Sequence, residues 1–243
     1  MKLDLDGRDR AVRLIKDLCD QHAEEWGRME FDETRIGRLD HKAEKLRIVR
    51  RVLGVEALRT EARSDTTGVC LVSAAPFGVI GMITPATHSG PTMAGNAINI
   101  IAAGNAAVFC PHPSAARCFA HALKVFNREI ARATGVKDLL CVMQKPTIAA
   151  AEEVFQHPGI ALLCVTGGPG VVKAAMKAGK RVIAAGPGNP PVVVDETANL
   201  DQAAKDIIAG AAFDNNLLCI GEKEIFVVKS VADAFFAAMK KAG

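Results

Sequence analysis

No Cys-x-x-Cys pair occurs in this chain, and its seven cysteines, Cys19, Cys70, Cys110, Cys118, Cys141, Cys164 and Cys219, are odd in number and scattered. That excludes zinc-site spacing and a disulfide framework, so no metal is expected and a reducing cytosol is the economical compartment. An excess of one charge sign is also missing. Thirty Lys and Arg against 27 Asp and Glu leave a formal net charge of +3, too slight a bias to favour nucleic acid or an anionic membrane as partner. No uncharged apolar run reaches the roughly 18 residues of a membrane span. Met1 is followed by the charged segment 2–13 rather than a basic region and an apolar one, so no leader is read and a cytoplasmic location is expected. Aromatics make up only 5% of the chain, but 49% of the 243 residues are apolar. That is enough aliphatic surface to offset chain entropy in one large domain, or one and a half.

Residues 1–65 read as an N-terminal helical segment. Apolar positions recur at three and four, as in Leu14, Ile15, Leu18 and Cys19 and in Leu46, Val49, Val52 and Leu53, so two or three amphipathic helices are expected, with Arg and Lys on a solvated face. Residues 66–188 alternate short aliphatic runs with stretches of helix formers. Strands are expected at 79–84, 106–110, 139–143, 160–166 and 181–184, each apolar enough to be buried on both faces, and helices at 92–103, 114–133, 148–155 and 171–177. Such alternation predicts βαβ units and an α/β fold with a doubly wound, Rossmann-like parallel sheet. Residues 189–243 add a strand at 191–195, a helix at 200–213, an irregular turn, a strand at 224–228 and a helix at 231–241. That is the start of a second, incomplete α/β domain.

Ligands of an open parallel sheet bind beyond the carboxyl ends of its strands. Four segments lie there: Thr84 to Gly90, Pro111 to Ser114, Thr166 to Gly170 and Ala185 to Pro191. The Thr166-Gly167-Gly168-Pro169-Gly170 turn opens a helix and is either a plain tight turn or a cradle in which a phosphate meets free backbone N–H groups. In the Pro-His-Pro-Ser turn, Ser114 is expected to cap the next helix, with His112 either facing the crevice or solvated. Cys19, Cys110, Cys118, Cys141 and Cys164 read as small buried apolar residues. Cys219 differs, because Phe213-Asp214-Asn215-Asn216-Leu217-Leu218-Cys219-Ile220-Gly221 is irregular and rich in amides, where a thiol can be reached by a ligand and serve as a nucleophile.

Together, Glu33 to Arg38, Ala75 to Gly81, Thr84-Pro85, Ala102 to Asn105, Pro111 to Pro113, Gly167 to Gly170, Ala185 to Pro191 and Phe213 to Cys219 resemble the aldehyde dehydrogenase superfamily. The likeness is to its CoA-acylating acetaldehyde and propionaldehyde dehydrogenases, often found in bacterial microcompartments. The resemblance implies a catalytic thiol at Cys219 and NAD or NADP held by the turns bearing Thr84 and Pro85, His112, Pro113 and Ser114, and Gly167, Gly168, Pro169 and Gly170. A short aliphatic aldehyde would add to the thiol, and coenzyme A would then take the acyl group from a thioester. Many relatives place an asparagine as side-chain oxyanion donor where this chain has His88, and an imidazole can also donate there. Hydrolytic members carry a water-activating glutamate at the segment that here reads Ala185-Gly186-Pro187-Gly188-Asn189. The absence of that carboxylate favours transfer to a thiol.

Family members run to about twice this length. The expected alternatives are therefore a catalytically impaired dinucleotide-binding fragment or, less compatible with the missing glutamate, a hydrolytic enzyme. The resemblance further implies homo-oligomers for full-length relatives, and as a family-level option association with a microcompartment shell and residence in its lumen.

Overall fold

The computed structural model describes residues 3–243, and these divide into two compact units, 3–185 and 186–243. In the first, α1 (Leu5–Gln21), α2 (Ala23–Thr34) and α3 (Leu39–Arg47) precede a hairpin of β1 (Glu61–Asp65) and β2 (Gly68–Val72). The alternating part follows as β3 (Val79–Thr84), α4 (Ser89–Ala102), β4 (Ala106–Pro111), α5 (Ala116–Thr134), β5 (Leu140–Val142), α6 (Ile148–Gln156), β6 (Ile160–Thr166), α7 (Pro169–Met176) and β7 (Arg181–Ala185).

β3 to β7 form one parallel sheet in the order β5-β4-β3-β6-β7. The chain steps from β3 to β5 at one edge, then returns through α6 to place β6 on the other side of β3. This is the doubly wound arrangement the alternating pattern predicts, with its switch point between β3 and β6. Period-two alternation sorts the strand side chains. Ile80, Met82, Ala107 and Phe109 join a core with α1, α4 and α5, whereas Ile83, Cys110, Leu163 and Val165 join a second core with α6 and α7. Gly81 lies where α6 comes close, and a Cβ there would meet Val154 Cγ1 at 2.7 Å.

The N-terminal helices share the first of these cores. α1 buries Ala11, Val12, Ile15, Leu18 and Cys19 along one stripe, and its first turn is capped by Asp4, which accepts from Gly7 N–H at 2.8 Å. Trp26 of α2 stacks on His22 and meets Phe126 of α5 edge to face, with ring centroids 5.5 Å apart.

Several expectations are corrected. Lys42 and Lys45 are not on a solvated face but are only 1% and 2% exposed. Cys141 is exposed and Cys164 only half-buried, because β5 is a short edge strand and the Cys164 side of β6 is incompletely covered. β7 is largely exposed instead of buried on both faces, since among the described residues it pairs only with β6, at the other edge of the sheet. The hairpin was not expected from the sequence at all. Every residue of its two strands is exposed, so no inward-facing alternation marks it.

The second unit pairs β8 (Pro191–Val194) in parallel with β9 (Glu224–Val227) and carries α8 (Leu200–Ala212) and α9 (Ala232–Ala242). Val194, Ala204, Ile207, Phe235 and Ala238 form its core. Among the described residues, no helix is long and apolar enough to cross a membrane.

Candidate functional site

The carboxyl ends of β3, β4 and β6 surround a cleft of about 320 Å³ in the first unit. Thr84, Pro85, His112, Pro113, Gly167 and Gly168 all line it, together with Thr147 and Ile148 at the start of α6, which no motif in the sequence marks. Ser114, Pro169 and Gly170 are not among the lining residues. Pro169 opens α7, whose N-terminus has no side-chain cap, and a Cβ at Gly168 or Gly170 would meet nothing within 4 Å. Thr84 is 1% exposed, and its Oγ1 is buried without a hydrogen-bond partner. A buried hydroxyl in that state favours a polar ligand.

The two turns that begin α4 and α5 are held from outside the sheet by α2. Glu30 is 3% exposed, takes Lys42 Nζ on one carboxylate oxygen at 2.9 Å and accepts from Gly90 N–H of α4 with the other at 2.9 Å. One helical turn later, Glu33 accepts from Arg117 N–H at 2.9 Å and Cys118 N–H at 2.7 Å in the first turn of α5. Both are carboxylates set where helix dipoles favour negative charge. Lys45 Nζ donates to the Thr87 carbonyl at 3.2 Å, fixing the loop just before His88, which is half-buried and stands at the N-cap position of α4 without a side-chain capping bond. The signal for these residues lay in the spacing of α2 and α3, but a solvated face accounts equally well for charges at such positions.

In the Pro-His-Pro-Ser turn His112 faces the cleft, one of its two expected placements, but the expected cap by Ser114 is not found. α5 begins after Ala115 with no cap from Ser114, whose position Glu33 takes instead. His112 Nδ1 accepts from Ser114 N–H at 3.2 Å and lies 2.8 Å from its Oγ. A ring nitrogen accepting from a backbone N–H carries no proton, so the neutral ring is protonated at Nε2.

Cys219 lies in the second unit as a half-buried free thiol, on a turn closed by Gly221 N–H to Leu218 O at 3.2 Å. Before it, Asp214, Asn215 and Asn216 adopt left-handed φ values of 49°, 57° and 56°. A Cβ on Gly188 would run into the Cys219 carbonyl oxygen, so the Gly186-Pro187-Gly188-Asn189 segment passes directly against the main chain of Cys219. Burial pushes the Cys19 thiol up to about 12 and also raises Cys110, Cys118, Cys141 and Cys164, which makes them poor nucleophiles near neutrality. Among the described residues, no group of His, Cys, Asp and Glu side chains could hold a metal ion.

A doubly wound sheet whose crevice gathers an uncapped helix N-terminus, glycines and an orphaned hydroxyl defines the open α/β class, in which a ligand site lies beyond the carboxyl ends of the strands. The chain belongs to the aldehyde dehydrogenase family, whose model matches residues 1–243. An acetaldehyde dehydrogenase (acetylating) of Bilophila wadsworthia is 46% identical over 238 residues, 97% of this chain and 49% of that protein. A propionaldehyde dehydrogenase of Rhodopseudomonas palustris, solved with bound CoA and an acylated cysteine, is 41% identical with a TM-score of 0.93, covering 100% of this chain and 56% of that one. An engineered glycolyl-CoA reductase with bound NADP+ is 40% identical with a TM-score of 0.92, covering 100% and 56%. The chain spans about half the length of the curated relatives it matches.

Proposed function

We propose that the chain carries the nucleophile and the dinucleotide cleft of a CoA-acylating aldehyde dehydrogenase that converts a short aliphatic aldehyde to its acyl-CoA. The observation that carries this reading is the packing of Gly188 against the Cys219 carbonyl. It sets beside a half-buried thiol the segment in which hydrolytic members keep a glutamate, and here that segment, Ala185 to Asn189, has no carboxylate.

Cys219 as thiolate adds to the aldehyde carbon, forming a C–S bond and placing negative charge on the former carbonyl oxygen. The Cys219 backbone N–H donates to that oxygen, and we assign a second donation to the His88 imidazole. The orphaned Thr84 hydroxyl and the open N-terminus of α7 fit NAD or NADP, which Thr84, Pro85, His112, Pro113 and Gly167 to Gly170 would hold. When bound, the dinucleotide supplies the acceptor for the hydride lost from the adduct. Cys219 is left as a thioester. Without a carboxylate in the neighbouring turn to activate water, the acyl group passes to the CoA thiol, which is already partly ionised near neutral pH.

The reverse acyl transfer tests this reading without the dinucleotide. The chain incubated with propionyl-CoA is expected to acquire one propionyl group at Cys219, located by mass spectrometry of its peptides, and Cys219→Ala to acquire none. Acylation that ignores this substitution, or no acylation of the unsubstituted chain, overturns the reading.

A further inference from the structure

We propose that Lys223 is a positioning residue for the oxyanion donor of the nucleophile turn. The proposal rests on the reading of Cys219 as nucleophile but is carried by a separate set of contacts. Lys223 Nζ donates to the Leu218 carbonyl at 2.9 Å, to the Asn216 carbonyl at 3.2 Å and to Asn216 Oδ1. An ammonium has three protons, and these three oxygens match them, so its hydrogen-bonding capacity is committed to the turn and not to a substrate.

The Leu218 carbonyl and the Cys219 N–H are the two ends of one planar peptide unit. Gripping the oxygen therefore fixes the direction in which the N–H points. Because the donor is charged, it also draws electron density toward that oxygen and makes the N–H at the other end a stronger donor. The Gly221 N–H reaches the same carbonyl at 3.2 Å, so the peptide plane is held by two donors.

Asn216 completes the brace. Its Nδ2 donates to the Ala211 carbonyl at 2.6 Å and to the Glu222 carbonyl at 3.0 Å, tying the end of α8 to the residue before Lys223. Asn216 is the last of the left-handed residues, a conformation that costs energy and persists where its surroundings enforce it. The Lys223 N–H donates to the Pro190 carbonyl at 2.9 Å, which ties the same residue to the segment after Gly188. Lys223 thus links both sides of the thiol to the turn that runs beside it.

The test compares Lys223→Met, Lys223→Gln and Lys223→Arg in the full chain with three readouts. The first is the 15N–1H resonance of the Cys219 amide, expected to move upfield in K223M and K223Q and to return toward its original position in K223R. The second is the rate of acyl transfer from propionyl-CoA to Cys219, expected to fall about tenfold to a hundredfold in K223M, with the propionyl-CoA concentration for half-maximal rate unchanged. The third is alkylation of Cys219 by iodoacetamide, a displacement at saturated carbon that builds no oxyanion and is expected to change less than about twofold. An unmoved amide resonance overturns the proposal, as does an equal fall in acyl transfer and alkylation, which would make Lys223 only a clasp on the loop. K223Q serves if K223M does not fold. If the unsubstituted chain takes no acyl group, the functional reading fails while the amide resonance still decides the role of Lys223.

Discussion

Cys19 lies on the inner face of α1 with no exposed surface, and burial, helped by the Asp20 charge, lifts its thiol from 9.0 to about 12. A group whose ionisation is harder in the folded state contributes nothing unfavourable while both states hold the proton. As pH rises past 9 the unfolded chain sheds it first, so the unfolded state then binds fewer protons and stability falls with pH. At ~1.36 kcal/mol per unit, the loss between pH 9 and about 12 approaches ~4 kcal/mol for this one thiol. Cys19→Ala is therefore expected to unfold in urea with a shallower alkaline decline than the parent chain, with the two profiles parallel below pH 8. Parallel profiles up to pH 11 would show that the thiol titrates freely. Gly188 answers to sterics instead of charge. Gly188→Ala must push the Cys219 carbonyl aside, at ~1–3 kcal/mol, and is expected to lower the thermal midpoint and slow acylation of Cys219 together.

At the scale of elements, α2 acts as an external clamp on the two helices that begin at the cleft. Glu33 serves two N–H groups of α5, and losing such a cap costs ~1–2 kcal/mol. Glu30 serves one N–H of α4 and also faces the Lys42 ammonium, whose side chain has no exposed surface. Removing a carboxylate from a buried ion pair costs more, ~3–5 kcal/mol, because the remaining buried charge loses a partner that offset its desolvation. Glu30→Ala is accordingly expected to shift the urea midpoint at least twice as far as Glu33→Ala, and Lys42→Met in the Glu30→Ala background to restore part of the loss. Equal shifts from the two glutamates would mean that the ion pair contributes nothing beyond its cap. The expectation of a solvated face failed here for a physical reason. Helical periodicity shows which residues share a side, but not that a second helix lies against that side, and Glu30 and Lys42 find each other only after α2 and α3 pack.

Across the whole molecule, legibility followed burial. The strands β3, β4 and β6 were readable because strands covered by helices must be apolar and short, and Phe109, Phe119 and Phe126 register that covering directly with no exposed surface, whereas β7 was readable from its aliphatic run although it is largely exposed. The turn bearing Cys219 stood out because its amides interrupt an aliphatic texture, whereas the contacts of Lys223 did not, since they depend on three oxygens that meet only in the folded loop. The hairpin of β1 and β2 lies at the opposite extreme. It exposes Val69, Leu71 and Val72 at 73%, 70% and 50% and, among the described residues, has no partner strand beyond its own pair. An isolated two-stranded hairpin is marginal in water, so its opening free energy is expected to lie near zero, while β3, flanked on both sides, opens only with global unfolding. In hydrogen–deuterium exchange of the dilute chain, peptides covering 61–72 should exchange within seconds and those covering 79–84 at the slowest rate of the molecule. Protection of 61–72 that grows with protein concentration would instead show copies of the chain covering those apolar side chains, because association is the one route to burying them that depends on concentration.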